Sequence, residues 1–193
     1  MTDRKTELLT VAEELLQTRG YSGFSYADLA SALGISKAAI HHHFPKKEDL
    51  GLALYEGYLA QVKEVHCTID EQAGDALEAF AMLVEAGRQL LVDGCKTCPS
   101  GILEAELAAL PPSLADSARR LDETMHEWMS GLLTRGRARG EVRFEGAAED
   151  QAWLVLATFQ GAFQKARSAG PETYRVICRQ LIRSMAPSDA LAG

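Results

Sequence analysis

Apolar residues recur three and four positions apart along most of the chain, the spacing that lines one face of an α-helix. Leu8, Leu9, Ala12, Leu15 and Leu16 share a face of residues 3–19, and the pattern stops at Gly20. Leu50, Leu54, Tyr58 and Val62 step by four along a helix expected from Lys47 to about Cys67. Leu77, Phe80, Leu83, Val84, Gly87 and Leu91 mark another from about Asp75 to Leu91. Helical character returns from Pro99 to Leu110, breaks at Pro111-Pro112 and resumes to about Arg137, with Pro112 suited to a first helical position. The last two helices span about Ala147–Ser168 and Pro171–Met185, while VDGCKTCPSG and RGRARGEVRFEG read as loops. The expectation is an all-α chain of about nine helices.

Ser25 to Leu50 carries the most specific pattern. Ser25 with Asp28 three residues on forms an S-x-x-D cap, and Leu29, Ala30 and Leu33 give the first short helix its core side. Gly34 stands where the chain leaves that helix in a left-handed conformation. Ile35 fills the space between helices, Ser36 caps KAAIHHHF, and Pro45 ends it. A small Ala30 permits a steep helix crossing. The second helix presents Ser36, Lys37, His41 and His42 on its leading face, which is little apolar surface for so short a helix. A helix-turn-helix that offers this face to DNA accounts for both features.

Residues 7–54 resemble the DNA-binding domain of the tetracycline-repressor (TetR) family of bacterial transcription regulators. The likeness rests on Ala12, Leu16, Gly20 and Phe24, on Ala27-Asp28-Leu29-Ala30 and Leu33-Gly34-Ile35-Ser36, and on Ile40 to Pro45 followed by Lys47, Glu48 and Leu50. The HFPKKEDL segment sets it apart from helix-turn-helices in general. His41 departs from the family, which usually carries a tyrosine there to reach a DNA phosphate. The resemblance implies a three-helix DNA-binding domain at residues 1–46 and an effector-binding and dimerisation domain at residues 47–193. It implies double-stranded operator DNA as a partner, with base contacts from Lys37, Ala38, Ala39 and His42 and phosphate contacts from Ser25, Ser36, His41 and Lys47.

Trp153, Leu154, Leu156, Ala157, Phe159, Gly161 and Phe163 make one late helix apolar around much of its girth, so it needs burial on more than one side. Ala157 and Gly161, four apart, allow another helix to approach closely. The reading is a homodimer through the last two helices, since one head contacts too few base pairs to be selective. These helices completing a monomer core is the other possibility. The resemblance also implies a small-molecule effector. Tyr58, Phe80, Met125, His126, Met129, Trp153, Phe159, Gln160 and Phe163 are the candidate lining, His126 and Gln160 supplying hydrogen bonds to a mainly apolar molecule. The same residues serve equally well as plain core.

Composition adds limits. The 193 residues are 47 % hydrophobic and 24 % charged, ordinary for a globular protein, and the net charge is −7. Residues 1–50 hold six basic against seven acidic side chains, so most of the acidity lies elsewhere. Four arginines at 135, 137, 139 and 143 read as a solvated helix end. No apolar run approaches the roughly 20 residues a membrane helix needs, and MTDRKTELLT lacks a signal-peptide core, so a cytoplasmic protein with reduced cysteines is expected.

An enzyme is not expected, nor any cofactor or metal. His41, His42 and His43 point about 100° apart on a helix, and no H-E-x-x-H, phosphate loop or nucleophile elbow is present. Cys95-x-x-Cys98 lacks a matching second pair for zinc. Cys98 before Pro99 is a helix N-cap, which with Lys96 nearby favours a reactive thiol that Cys95 would resolve; an ordinary small buried residue is the other reading. CPSGILEAEL resembles TetR-type regulators that include the N-ethylmaleimide-reductase repressor. Release from the operator, whether by an apolar effector or by cysteine modification, is the expected response. A helical ligand-binding or redox-sensing protein without a DNA target is the rival reading.

Overall fold

The computed structural model describes residues 3–92, 96 and 98–187. Among them are nine α-helices and no strand: α1 (Arg4–Arg19), α2 (Tyr26–Leu33), α3 (Lys37–His43), α4 (Lys47–Gln72), α5 (Ala76–Val92), α6 (Pro99–Ala105), α7 (Pro112–Ala138), α8 (Ala148–Ala169) and α9 (Glu172–Met185). A single 3-10 turn, Leu107–Ala109, separates α6 from α7. The chain forms two compact units. The first joins residues 1–61 to 96–121 and the second joins 62–95 to 122–193, so the division falls within α4 and within α7.

Two helices differ from their expected extents. α4 runs to Gln72, because Ile69 (2 % exposed) continues its buried face while Thr68, Asp70, Glu71 and Gln72 supply the polar side. The helix expected from Pro99 to Leu110 ends at Ala105. There Glu106 leaves helical geometry (φ −99°, ψ 5°), and its side chain turns back to accept from the Ser22 backbone amide at 2.8 Å. Gly20, at the exit of α1, has φ +82°, and a β-carbon there would sit 2.0 Å from Glu106 Oε1. The turn favours glycine, and the missing β-carbon leaves the Glu106 carboxylate room to approach.

In the first unit, Leu8, Ala12, Leu16, Leu29, Ile40, Phe44 and Leu50 form the core that joins α1, α2, α3 and the start of α4. In the second unit α9 packs along α8 and against α5, closing over Phe80, Met129, Leu133 and Tyr174. The Tyr174 hydroxyl donates to the Val84 carbonyl at 3.3 Å. Asp70 ties α4 to α7, accepting from Trp128 Nε1 at 2.9 Å and from Arg135 at 2.7 Å.

The other arginines near the end of α7 are also occupied. Arg137 lies over the Phe144 ring and donates to the Gly146 carbonyl, and Arg139 pairs with Glu141. A loop whose cations are held this way is a helix end closed onto itself.

Lys47 corrects an expectation. Its ammonium donates to the carbonyls of Tyr21 and Phe24 and lies 4.4 Å from the centre of each of those rings. Burial lowers its pKa, against the pull of Glu106 and Asp28. Assigned from sequence to a phosphate, this cation instead fastens the α1–α2 turn to the start of α4. Lys47→Met is therefore expected to cost about 2 kcal/mol in denaturant unfolding. It should leave the slope of log operator affinity on log salt unchanged. A phosphate contact would show as a slope shallower by about 0.9.

Candidate nucleic-acid interface

The turn before α3 is built as its residues dictate. Ser25 and Asp28 form a reciprocal capping box: the Ser25 hydroxyl accepts from the Ala27 amide at 3.2 Å and donates to Asp28 at 2.6 Å, and Asp28 accepts from the Ser25 amide at 2.8 Å. The bond from the Ser25 hydroxyl, foremost, lowers the Asp28 pKa. Gly34 takes the left-handed conformation (φ +64°, ψ 34°), and Ser36 caps α3 through the Ala39 amide at 3.3 Å.

α3 divides cleanly into two faces. Ile40 is fully buried and Phe44, just past the end, is 3 % exposed, whereas Ser36, Lys37, Ala38, His41 and His42 are exposed and Ala39 is half-buried. His41 stands edge-on to Tyr26 at 4.9 Å between ring centres, and its Nδ1 meets the Pro45 carbonyl at 3.1 Å. The Tyr26 hydroxyl donates to the Phe44 carbonyl at 2.8 Å, and burial pushes its pKa to about 12, so it remains a donor. Sequence reasoning passed over Tyr26, because nothing in its spacing announces a bond to a residue 18 positions on.

The α3 face is thus a protruding edge with one lysine, small side chains and two imidazoles, sized for a DNA major groove. Ser25 is exposed beside it, with its hydroxyl engaged in the cap. Of the eight predicted DNA contacts, all but Lys47 and the half-buried Ala39 are exposed.

In the second unit Phe80, Met129, Phe159 and Phe163 are closed core, Met125 and His126 are half-buried, and Gln160 is half-buried with a partner. Trp153 is 48 % exposed and stacks on His126 at 4.1 Å, whose Nε2 meets the Glu149 carbonyl at 2.9 Å. Trp153 lies on another face of α8 from the buried Phe159 and Phe163. Tyr58 belongs to the first unit. Its hydroxyl meets the Cys98 sulfur at 2.9 Å, and burial, then Cys98, raises its pKa well above the phenol range.

Cys98 is the N-cap of α6, 7 % exposed, and its sulfur also meets the Ser100 hydroxyl at 3.0 Å. Cys95 lies outside the described residues. The surface of α8 exposes Trp153, Leu154, Ala157 and Gly161, with Val176 exposed on α9.

Residues 8–54 match the family described as "Bacterial regulatory proteins, tetR family". The transcriptional regulator CymR of Pseudomonas putida is 26 % identical over 160 residues, which cover 80 % of this chain and 75 % of CymR. A TetR-family regulator from Agrobacterium tumefaciens superimposes with a TM-score of 0.91 at 29 % identity, covering 95 % of this chain and 97 % of that one. Reduced NemR of E. coli shares the fold alone, at 22 % identity and a TM-score of 0.79 over 96 % of this chain and all of NemR (100 %). No described helix is long and apolar enough to cross a membrane. The α3 face, its capped approach and these likenesses agree: residues 8–54 form a TetR-type DNA-binding domain, and the chain as a whole is similar to TetR-family transcriptional regulators.

Proposed function

We propose that the chain is a homodimeric, cytoplasmic repressor that leaves its operator when a small apolar effector binds. The observation that carries the DNA half is the exposed edge of α3, backed by fully buried Ile40. Lys37, Ala38, Ala39 and His42 read base edges, and Ser25, Ser36 and His41 meet phosphates. With Lys47 withdrawn and residues 1–50 near neutral, the affinity depends only modestly on salt.

The dimer half rests on α8. A helix that leaves Trp153 and Leu154 about half exposed (48 % and 55 %), with Ala157 and Gly161 alongside, has apolar surface and room for a second copy. A two-fold pair sets two α3 helices about 34–36 Å apart, one turn of B-DNA. Effector binding that favours another spacing weakens operator affinity, and by linkage the operator weakens effector binding by the same factor.

A second route to release is modification of Cys98. Cys178 is fully buried, and burial pushes its pKa to about 11, while the Glu71 carboxylate raises that of exposed Cys67. Cys98 sits in a helix cap between the Tyr58 and Ser100 hydroxyls.

Three outcomes are expected. In a randomised-site selection, His42→Ala changes the preferred base at one or two positions of each half-site, and an unaltered preference removes His42 as a reader. Gly161 is exposed and a β-carbon there meets nothing within 4 Å in the monomer, so Gly161→Arg is expected to fold. It should sediment as a single subunit and lose at least tenfold in operator affinity; a persistent dimer would place the interface elsewhere. In a labelling time course with N-ethylmaleimide, Cys98 reacts before Cys178 and operator binding falls in step. Equal rates would end the thiol route.

A further inference from the structure

His41 stands on the exposed edge of α3 with one of its two ring nitrogens already committed. Its Nδ1 lies 3.1 Å from the Pro45 carbonyl oxygen, and its ring is edge-on to Tyr26 at 4.9 Å. A carbonyl oxygen only accepts, so the proton of the neutral ring is on Nδ1. Nε2 then carries a lone pair, and it is the nitrogen left for a contact outside the chain. A lone pair turned toward a phosphate oxygen repels it. The same ring with a second proton keeps the Pro45 bond and donates from Nε2, in a charge-assisted bond of the stronger kind.

The surroundings do not favour that second proton in the free chain. Tyr26, packed on the ring from α2, stays a neutral phenol: burial pushes its pKa to about 12, and its hydroxyl donates to the Phe44 carbonyl. The carboxylates of this region are engaged, Asp28 with Ser25 and Arg19, and Asp49 of α4 with the Lys46 amide at 2.8 Å. Lys37 stands one turn before His41 on α3, and from α1 Lys5 lies 5.7 Å from the centre of the Phe44 ring. Both cations act against a further positive charge until phosphates outweigh them. Residues 1–50 hold six basic against seven acidic side chains, and Lys47 is turned inward, so one imidazolium is a large addition to the charge of the head.

We propose that His41 meets its phosphate as an imidazolium, so that each α3 takes up one proton on binding DNA and the operator is held more tightly as pH falls. The inference rests on the regulator reading and adds to it the chemistry and regulation of one of its phosphate contacts. The complex holds the proton more firmly than the free chain does. The gain is therefore complete below the ordinary imidazole range and is lost as pH rises through the value in the complex. His42 needs no such proton. It is edge-on to His43 at 5.4 Å, and among the described residues no hydrogen bond fixes its tautomer, so its neutral ring can donate to a base or accept from one.

The test uses the full chain and a fluorescent duplex that the wild type enriches from a random pool at about pH 6. Between about pH 6 and 8 the wild-type dissociation constant should rise about tenfold, with a slope of log affinity on log salt steeper at the acid end by about 0.9 for each head. His41→Tyr places a hydroxyl that donates across this whole range, so its profile should be nearly flat and its affinity at the alkaline end no weaker than wild type. His41→Ala, which asks nothing of the Tyr26 packing, should be equally flat but weaker than wild type at the acid end. His42→Ala should keep the dependence whatever it does to base preference. In the free chain at about pH 8, nitrogen-15 spectra should place the His41 proton on Nδ1. A flat wild-type profile, an undiminished dependence in His41→Tyr and His41→Ala, or a neutral His41 protonated on Nε2 overturns the proposal and leaves the regulator reading standing. Failure to enrich any duplex ends the regulator reading, and this proposal with it.

Discussion

Seven residues of helix do not hold themselves together in water, and α3 is seven residues long. Its shape is imposed from both ends and from one side. Ser36 satisfies the Ala39 amide at its start, Ile40 is fully buried beneath it, and at the far end Phe44 is buried while Tyr26 holds its carbonyl. On the outer face Ser36 and His41 share in this, His41 through the Pro45 carbonyl and the Tyr26 ring, and the other side chains do not. Lys37, Ala38 and His42 are consequently free of structural duty, which is what a recognition surface requires: side chains that can change without unfolding the helix beneath.

The electrostatics of the first unit follow the same division of labour. The Lys47 cation is held by two carbonyl oxygens and two aromatic rings, against the burial that lowers its pKa. Glu106 does the corresponding work on the amide side of the same turn. The α1–α2 turn is held by one charge of each sign acting on backbone groups. Its geometry is thus fixed by side chains 26 and 84 positions away in sequence.

That distance explains what could and could not be read in the sequence. The capping box at Ser25, the left-handed Gly34 and the Ser36 cap are local chemistry, decided by residues within four positions, and all were legible. So were the two apolar stripes that place α8 and α9. Lys47 looked like a phosphate ligand because its partners are carbonyls, which leave no trace in side-chain identity. Glu106 gives no sign of its role in the sequence, because its partner is a backbone amide 84 positions away. Trp153 was grouped with Phe159 and Phe163 by hydrophobicity, whereas the helical angle between them turns it outward.

The proposed thiol route of release acts on α6. Cys98 begins this helix and Glu106 ends it against the α1–α2 turn. The Cys98 sulfur lies between the Tyr58 and Ser100 hydroxyls and is 7 % exposed, so an adduct there would have to displace what packs around it. At the other end a single carboxylate meets the Ser22 amide. A short helix held at both ends by contacts to other elements is one through which a change at Cys98 would reach the turn that precedes α2 and α3.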